Sequence, residues 1–169
     1  MGAKWRTHKD LIDRMTMSAK SINGAKVNVG VLTGEHKWLA AIHEYGCKIP
    51  VTDKMRAYLH GIGVHLKPST TLIVIPERSF LRAGYDQSKD DILRKASRLL
   101  PDVLEGALPE EKFFEVVGTQ LRDAIKEYAI DLSDPPKKEW PTRPAGFDNP
   151  LIGSSSADMV NGIEYEVEK

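Results

Sequence analysis

An α+β domain is the fold class this sequence predicts, on three observations. Short β patterns lie near 26–32, 70–75 and 163–167, far apart along the chain. Two long helical patterns follow the second of them, with shorter helical stretches elsewhere. Hydrophobic residues make up 41% and charged residues 28%, the balance of a folded globular chain rather than a disordered one. The expected architecture is a small antiparallel sheet packed with two long helices and shorter helices. It forms one domain over residues 1–169, with a proline-rich arm or loop at 132–149.

Residues 5–22 place Trp5, Leu11, Ile12, Met15 and Ala19 at helical spacing, and Asn23-Gly24 closes the pattern. Over 26–32, Val27, Val29 and Val31 alternate with Lys26, Asn28 and Gly30, as in a half-buried strand. Residues 35–45 read as a short helix with Trp38, Ala41, Ile42 and Tyr45 on one face, closed by Gly46. Thr52 or Asp53 caps a two-turn helix reaching Leu59. Residues 70–75 (TTLIVI) are continuously apolar at their end, which predicts a central strand covered on both faces.

A helix is expected from about Ser79 to Leu104, with Ile92, Ala96, Leu99 and Val103 in register and Pro101 kinking or splitting it. Pro109 opens a second, with Glu110 and Glu111 at its positive end and a stripe of Phe113, Phe114, Val117, Leu121, Ala124, Ile125 and Tyr128. Residues 132–149 hold four of the ten prolines, reading as an ordered loop or a mobile arm anchored by Trp140 and Phe147. A helical segment over 154–160 leads to Ile163, Tyr165 and Val167, which alternate with Glu164, Glu166 and Glu168. The lysine on the first strand and the glutamates on the last favour an antiparallel pairing of the two.

Charge is balanced, 24 basic against 24 acidic, which argues against a free-standing nucleic-acid binder. It is unevenly placed. Residues 1–20 carry five Lys/Arg against Asp10 and Asp13, whereas 101–134 carry nine carboxylates against Lys112, Arg122 and Lys126. Such segregation suits repeated subunits that meet one another, or simply solvated faces. The lone Cys47 fits a reducing cytoplasm and reads as a small apolar filler. No signal-peptide core and no membrane-spanning run is expected.

Catalytic candidates are few. The histidines stand at 8, 36, 43, 60 and 65. His43-Glu44 lacks the second histidine of a zinc-hydrolase helix, because Cys47 occupies that place beyond Gly46. His60 and His65 flank a turn and are expected to be exposed. Ser154–Ser156 lacks a nucleophile elbow, and no phosphate loop or dinucleotide fingerprint occurs. The sequence therefore predicts neither an enzyme nor a cofactor.

Three ordered stretches remain. The first is Ala40-Ala41-Ile42-His43-Glu44-Tyr45-Gly46. The second runs from Ile49-Pro50 to Ile75-Pro76-Glu77-Arg78-Ser79-Phe80-Leu81-Arg82, and the third is Asn149-Pro150-Leu151-Ile152. Their order resembles the virion-morphogenesis, or tail-completion, proteins of tailed phages, the phage Mu-type branch in particular. Gly153-Ser154-Ser155 stands where that family carries aspartate, threonine, glycine.

The resemblance implies a structural subunit of the virion neck, assembled in the host cytoplasm as a ring of identical chains, most simply a hexamer. Its partners would be head-closure or connector proteins and the tail terminator or tail tube, with DNA passing non-specifically through the ring. The family-motif residues are His43, Glu44, Tyr45, Gly46, Pro76, Arg78, Phe80 and Arg82. They are expected to fix the fold, through a Glu44–Arg78 ion pair, or to contact neighbouring subunits. Arg78 and Arg82 are expected on one helix face. Trp140 and Phe147 are the candidate partner contacts. Alternatives are a tail-terminator or head-closure ring protein, a metal-dependent hydrolase or nuclease using His43 and Glu44, and a monomeric DNA-binding module.

Overall fold

A computed structural model describes residues 2–32, 34, 36–137, 148–152 and 157–168, with residues 2–8 as backbone only. Helix α1 (Gly2–Ile22) leads into strand β1 (Lys26–Val31), then α2 (Lys37–Tyr45), β2 (Cys47–Pro50), α3 (Asp53–Gly61) and β3 (Leu72–Ile75). The long helices α4 (Phe80–Leu104) and α5 (Glu110–Asp131) follow, then a single turn α6 (Asp158–Asn161) and β4 (Ile163–Glu168). The α+β class expected from the sequence is what the chain adopts.

First and last strands pair antiparallel, as their alternation and charges indicated. Val29 faces Tyr165, Val31 faces Ile163, and Lys26 lies opposite Glu168. Behind this ribbon α4 and α5 form an antiparallel hairpin. Gly84 lets it close tightly, since a Cβ there would come within 3.2 Å of the Ile125 Cα. The main core gathers Phe80, Ile92, Leu121, Ile125, Val160 and Ile163 between hairpin, ribbon and α6. A second cluster, nearer the α4–α5 turn, centres on Val103, Phe113 and Phe114, the two rings meeting edge to face at 5.2 Å.

Gly118 on α5 sits under the Tyr165 ring, which a Cβ would overlap at 2.3 Å. Gly118→Ala is expected to cost about 1–3 kcal/mol, the usual range for overpacking a tight site. Urea unfolding checks this, and an unchanged midpoint would show that Tyr165 swings aside freely.

Several local expectations are corrected. Residues 70–75 do not form a central strand. β3 begins at Leu72 and pairs only with β2, in a second two-stranded sheet where Cys47 faces Ile75 and Ile49 faces Ile73. Leu72 and Val74 are 48% and 42% exposed, so only Ile73 and Ile75 face inward. β2 escaped the sequence reading because Lys48 and Pro50 interrupt its apolar pattern. Pro101 does not split α4. It sits one turn from the helix end, where losing a single amide donor is tolerated.

The face assigned to α2 is turned outward. Ala40 and Glu44 are buried, while Trp38 and Tyr45 are 63% and 66% exposed. Thr52 caps α3, its hydroxyl accepting from the Met55 amide, and His60 and His65 are exposed with their rings edge to face. Trp140 and Phe147 lie outside the described residues, as do 154–156, while 158–160 are helical as expected. No described helix is long and apolar enough to cross a membrane.

Candidate functional site

Seven of the eight family-motif residues meet where the end of α2 abuts the start of α4, and the eighth, Phe80, anchors that start in the core. The first amides of helix α4 have no partner within the helix, and its N-cap residue Ser79 makes no side-chain capping bond. Glu44, 3% exposed, supplies the cap from another helix. Its Oε2 accepts from the Leu81 amide at 2.9 Å and its Oε1 from the Arg82 amide at 3.1 Å. These are the second and third residues of α4, the amides an N-cap side chain ordinarily satisfies. The carboxylate also lies at the positive end of a 25-residue helix.

Arg82 completes the contact. Its Nε donates to Glu44 Oε1 at 2.9 Å, and its Nη2 donates to the Glu44 carbonyl at 3.0 Å and to Glu77 Oε1 at 2.7 Å. The guanidinium lies 4.8 Å from the Tyr45 ring centroid, which accounts for an aromatic side chain on the exposed side of α2. Bonding to Glu44, then to Glu77, pushes the Arg82 pKa up.

Arg78 is not the partner of Glu44. α4 starts at Phe80, so Arg78 precedes the helix, shares no helix face with Arg82 and turns the other way. Only 5% exposed, it donates from Nε to the Pro135 carbonyl at 2.8 Å and from Nη2 to the Pro136 carbonyl at 3.0 Å. Burial pushes its pKa down. Its amide donates to the His43 carbonyl at 2.7 Å, joining α2 to the segment after β3. The Lys137 ammonium donates to the Ile152 carbonyl.

Asn149, overlooked as a single residue in the sequence, works in both directions. Its Nδ2 donates to the last carbonyls of α5, Ala129 and Ile130, and its Oδ1 accepts from the Leu151 and Ile152 amides. An asparagine before proline at a chain reversal was the available signal.

Gly46 leaves α2 at φ 70, ψ 168, a region open essentially to glycine. A Cβ there would stand 2.9 Å from the Glu77 nitrogen and 3.0 Å from the Ile75 oxygen, both backbone atoms that cannot step aside. Gly46→Ala is expected to cost about 1–3 kcal/mol from backbone strain alone. Thermal unfolding measures it, and a loss within experimental error would mean that the β3 exit has room to shift.

His43 provides a pH response. Its Nδ1 is buried and finds no hydrogen-bond partner among the described residues. Burial first, then the charges of Arg78 and Lys137, hold its pKa below the ordinary 6.5. The unfolded chain therefore takes up this proton before the folded one does. Stability attributable to His43 is complete above pH 6.5 and falls as pH drops below it. The difference in urea midpoint between the native chain and His43→Gln should shrink from about pH 7 to pH 5. A difference constant across that range would show that His43 titrates normally.

Chemically this is a latch. Both oxygens of Glu44 are engaged by α4 and its arginine, and both bonded Arg78 nitrogens are held by backbone carbonyls. Among the described residues no group of three His, Cys, Asp or Glu side chains converges as metal ligands would. Cys47 is half-buried, with its backbone in β2. The chain matches no protein-family model, no curated protein and no solved structure.

Proposed function

We propose that this chain is a structural subunit of a tailed-phage neck, the tail-completion component that joins head to tail. The reading draws on the ordered resemblance of the three motif stretches. The observation that carries it is the use made of Glu44 and Arg78, the motif residues best suited to chemistry, as fold-closing contacts. A domain whose motif residues close its own fold can offer its outer faces to neighbours. In this reading identical chains form a ring, most simply a hexamer, between head-closure or connector proteins and the tail terminator or tube. DNA passes through it non-specifically. Trp140 and Phe147 stand as candidate contacts to those partners.

Electron microscopy of lysates from a phage lacking this chain tests the proposal. Separate DNA-filled heads and finished tails are expected, with joining restored when purified protein is added. Joined, infectious particles formed without the chain would overturn it. Tails of uncontrolled length would point instead to a tail terminator, and leaking heads to a head-closure protein. A hydrolytic activity of the pure protein that disappears in His43→Ala would move the chain to the enzyme class.

A further inference from the structure

Helix α1 is thinly held. Of its residues from Lys9 to Ile22 none is buried, and only Met15, Ser18 and Ile22 are even partly covered. Among the described side chains, its contacts lie in its second half. Ile22 packs on the Val103–Phe113–Phe114 cluster, the Ser21 hydroxyl bonds the Glu110 carboxylate, and Arg14 Nη2 donates to the Glu105 carbonyl at 2.7 Å. Arg14, about 12 Å along α1 from Ile22, thus reaches only the residue that ends α4. The preceding twelve residues make about 18 Å of helix. Leu11, Ile12 and Met17 are 38%, 61% and 71% exposed on this helix. Its first residues, 2–9, carry Lys4, Arg6 and Lys9 and no carboxylate.

The opposite end of the hairpin has the complementary character. A groove of about 680 Å³ opens between α4 and α5 beyond Gly84, with Ala124, Tyr128 and Leu132 along it. Glu127, Asp131 and Asp134 rim it, all exposed and without an ion pair among the described residues. Asp91, also on the rim, is neutralised by Arg94 and Lys95. Seventeen residues, about 25 Å of helical rise, separate Ser88 in this groove from Glu105, where Arg14 is held, more than the roughly 18 Å of helix that precedes Arg14. An arm cannot reach the groove of its own chain.

The geometry points to a head-to-tail contact between copies of this chain, in which the basic arm of α1 lies in the acidic α4–α5 groove of the next copy. Such a contact is heterologous and closes into a ring when its rotation allows. The exposed apolar residues of α1 meet the apolar strip of the groove, while Lys4, Arg6 and Lys9 meet the rim. The inference deepens the proposed ring and rests on it for the identity of the neighbour.

Sedimentation velocity of the full chain at low and high salt tests the contact with two variants. One reverses the arm (Lys4→Glu, Arg6→Glu, Lys9→Glu), the other the groove (Glu127→Lys, Asp131→Lys). Circular dichroism confirms that both keep their helix content. The native chain should self-associate, less so at high salt. Each variant alone should lose at least about a hundredfold in self-affinity, and an equimolar mixture, which restores opposite charges at every contact, should recover it. Three results would overturn the contact: a native chain that stays monomeric, a variant that associates as the native chain does, or a mixture that does not recover. Arm binding to duplex DNA, with self-association insensitive to groove reversal, would overturn it too. Association surviving both reversals removes this contact and leaves the ring standing. A recovered mixture, with the chain absent from the virion, removes the neck reading and leaves the contact.

Discussion

Glu44→Ala is expected to lower the unfolding free energy by about 2–5 kcal/mol, because two poorly hydrated amides lose their acceptors at about 1–3 kcal/mol each. The loss comes less from Arg82 than from α4. With its side chain 51% exposed, Arg82 retains water when the carboxylate goes, so its share is the smaller one. The amides of Leu81 and Arg82 lie beside a residue that is 3% exposed and lose their acceptors where water enters poorly. Glu44→Gln keeps one acceptor oxygen and should cost distinctly less. A double-mutant cycle with Arg82→Ala apportions the effect, with a coupling well below the Glu44→Ala loss expected. A total loss below about 1 kcal/mol for Glu44→Ala would mean that α4 does not depend on a cap from α2.

Phe80→Ala should be comparably severe, at about 3–5 kcal/mol. The ring is 0% exposed and lies in the main cluster with Ile92, Leu121, Ile125 and Val160. It is also the first residue of α4, so the helix start is pinned by a buried ring and by Glu44 one residue later. Phe80→Leu, which keeps most of the volume, should cost less than about 1.5 kcal/mol. Equal losses in the two variants would mean that ring shape matters more than the cavity. An alanine variant losing less than about 1 kcal/mol would mean that the surrounding side chains collapse into the space.

Where one element declares itself by its own period, the sequence was a sufficient guide. The alternation of 26–31 and 163–168, with lysine against glutamates, revealed a pairing between residues 132 to 142 positions apart. The stripe from Phe113 to Tyr128 marked α5, whose Phe113, Phe114, Leu121 and Ile125 are buried. Reading failed where a polar residue turns inward. Hydropathy placed Trp38 and Tyr45 inside α2, but the needs of α4, a different element, draw Glu44 in and rotate that face outward. The site was legible as a list of residues and not as a set of pairs. Arg82 lies inside α4 and turns to Glu44, whereas Arg78 lies two residues before the helix and turns to Pro135 and Pro136. Four-residue β2, crossed by a lysine and a proline, lay below what periodicity resolves.

The pairing of β1 with β4 also sets an order of folding. The α4–α5 hairpin joins neighbours across a short turn and can form early, whereas Val31 must wait for Ile163. During synthesis Val27, Val29 and Val31 therefore remain an open edge until residues 163–168 have left the ribosome, inviting strand addition from other nascent copies. Lys26 at one end and Gly30 within the strand make that edge a poorer template than the valines alone would. The β1–β4 ribbon, and the part of the core behind it, closes only after β4 has arrived.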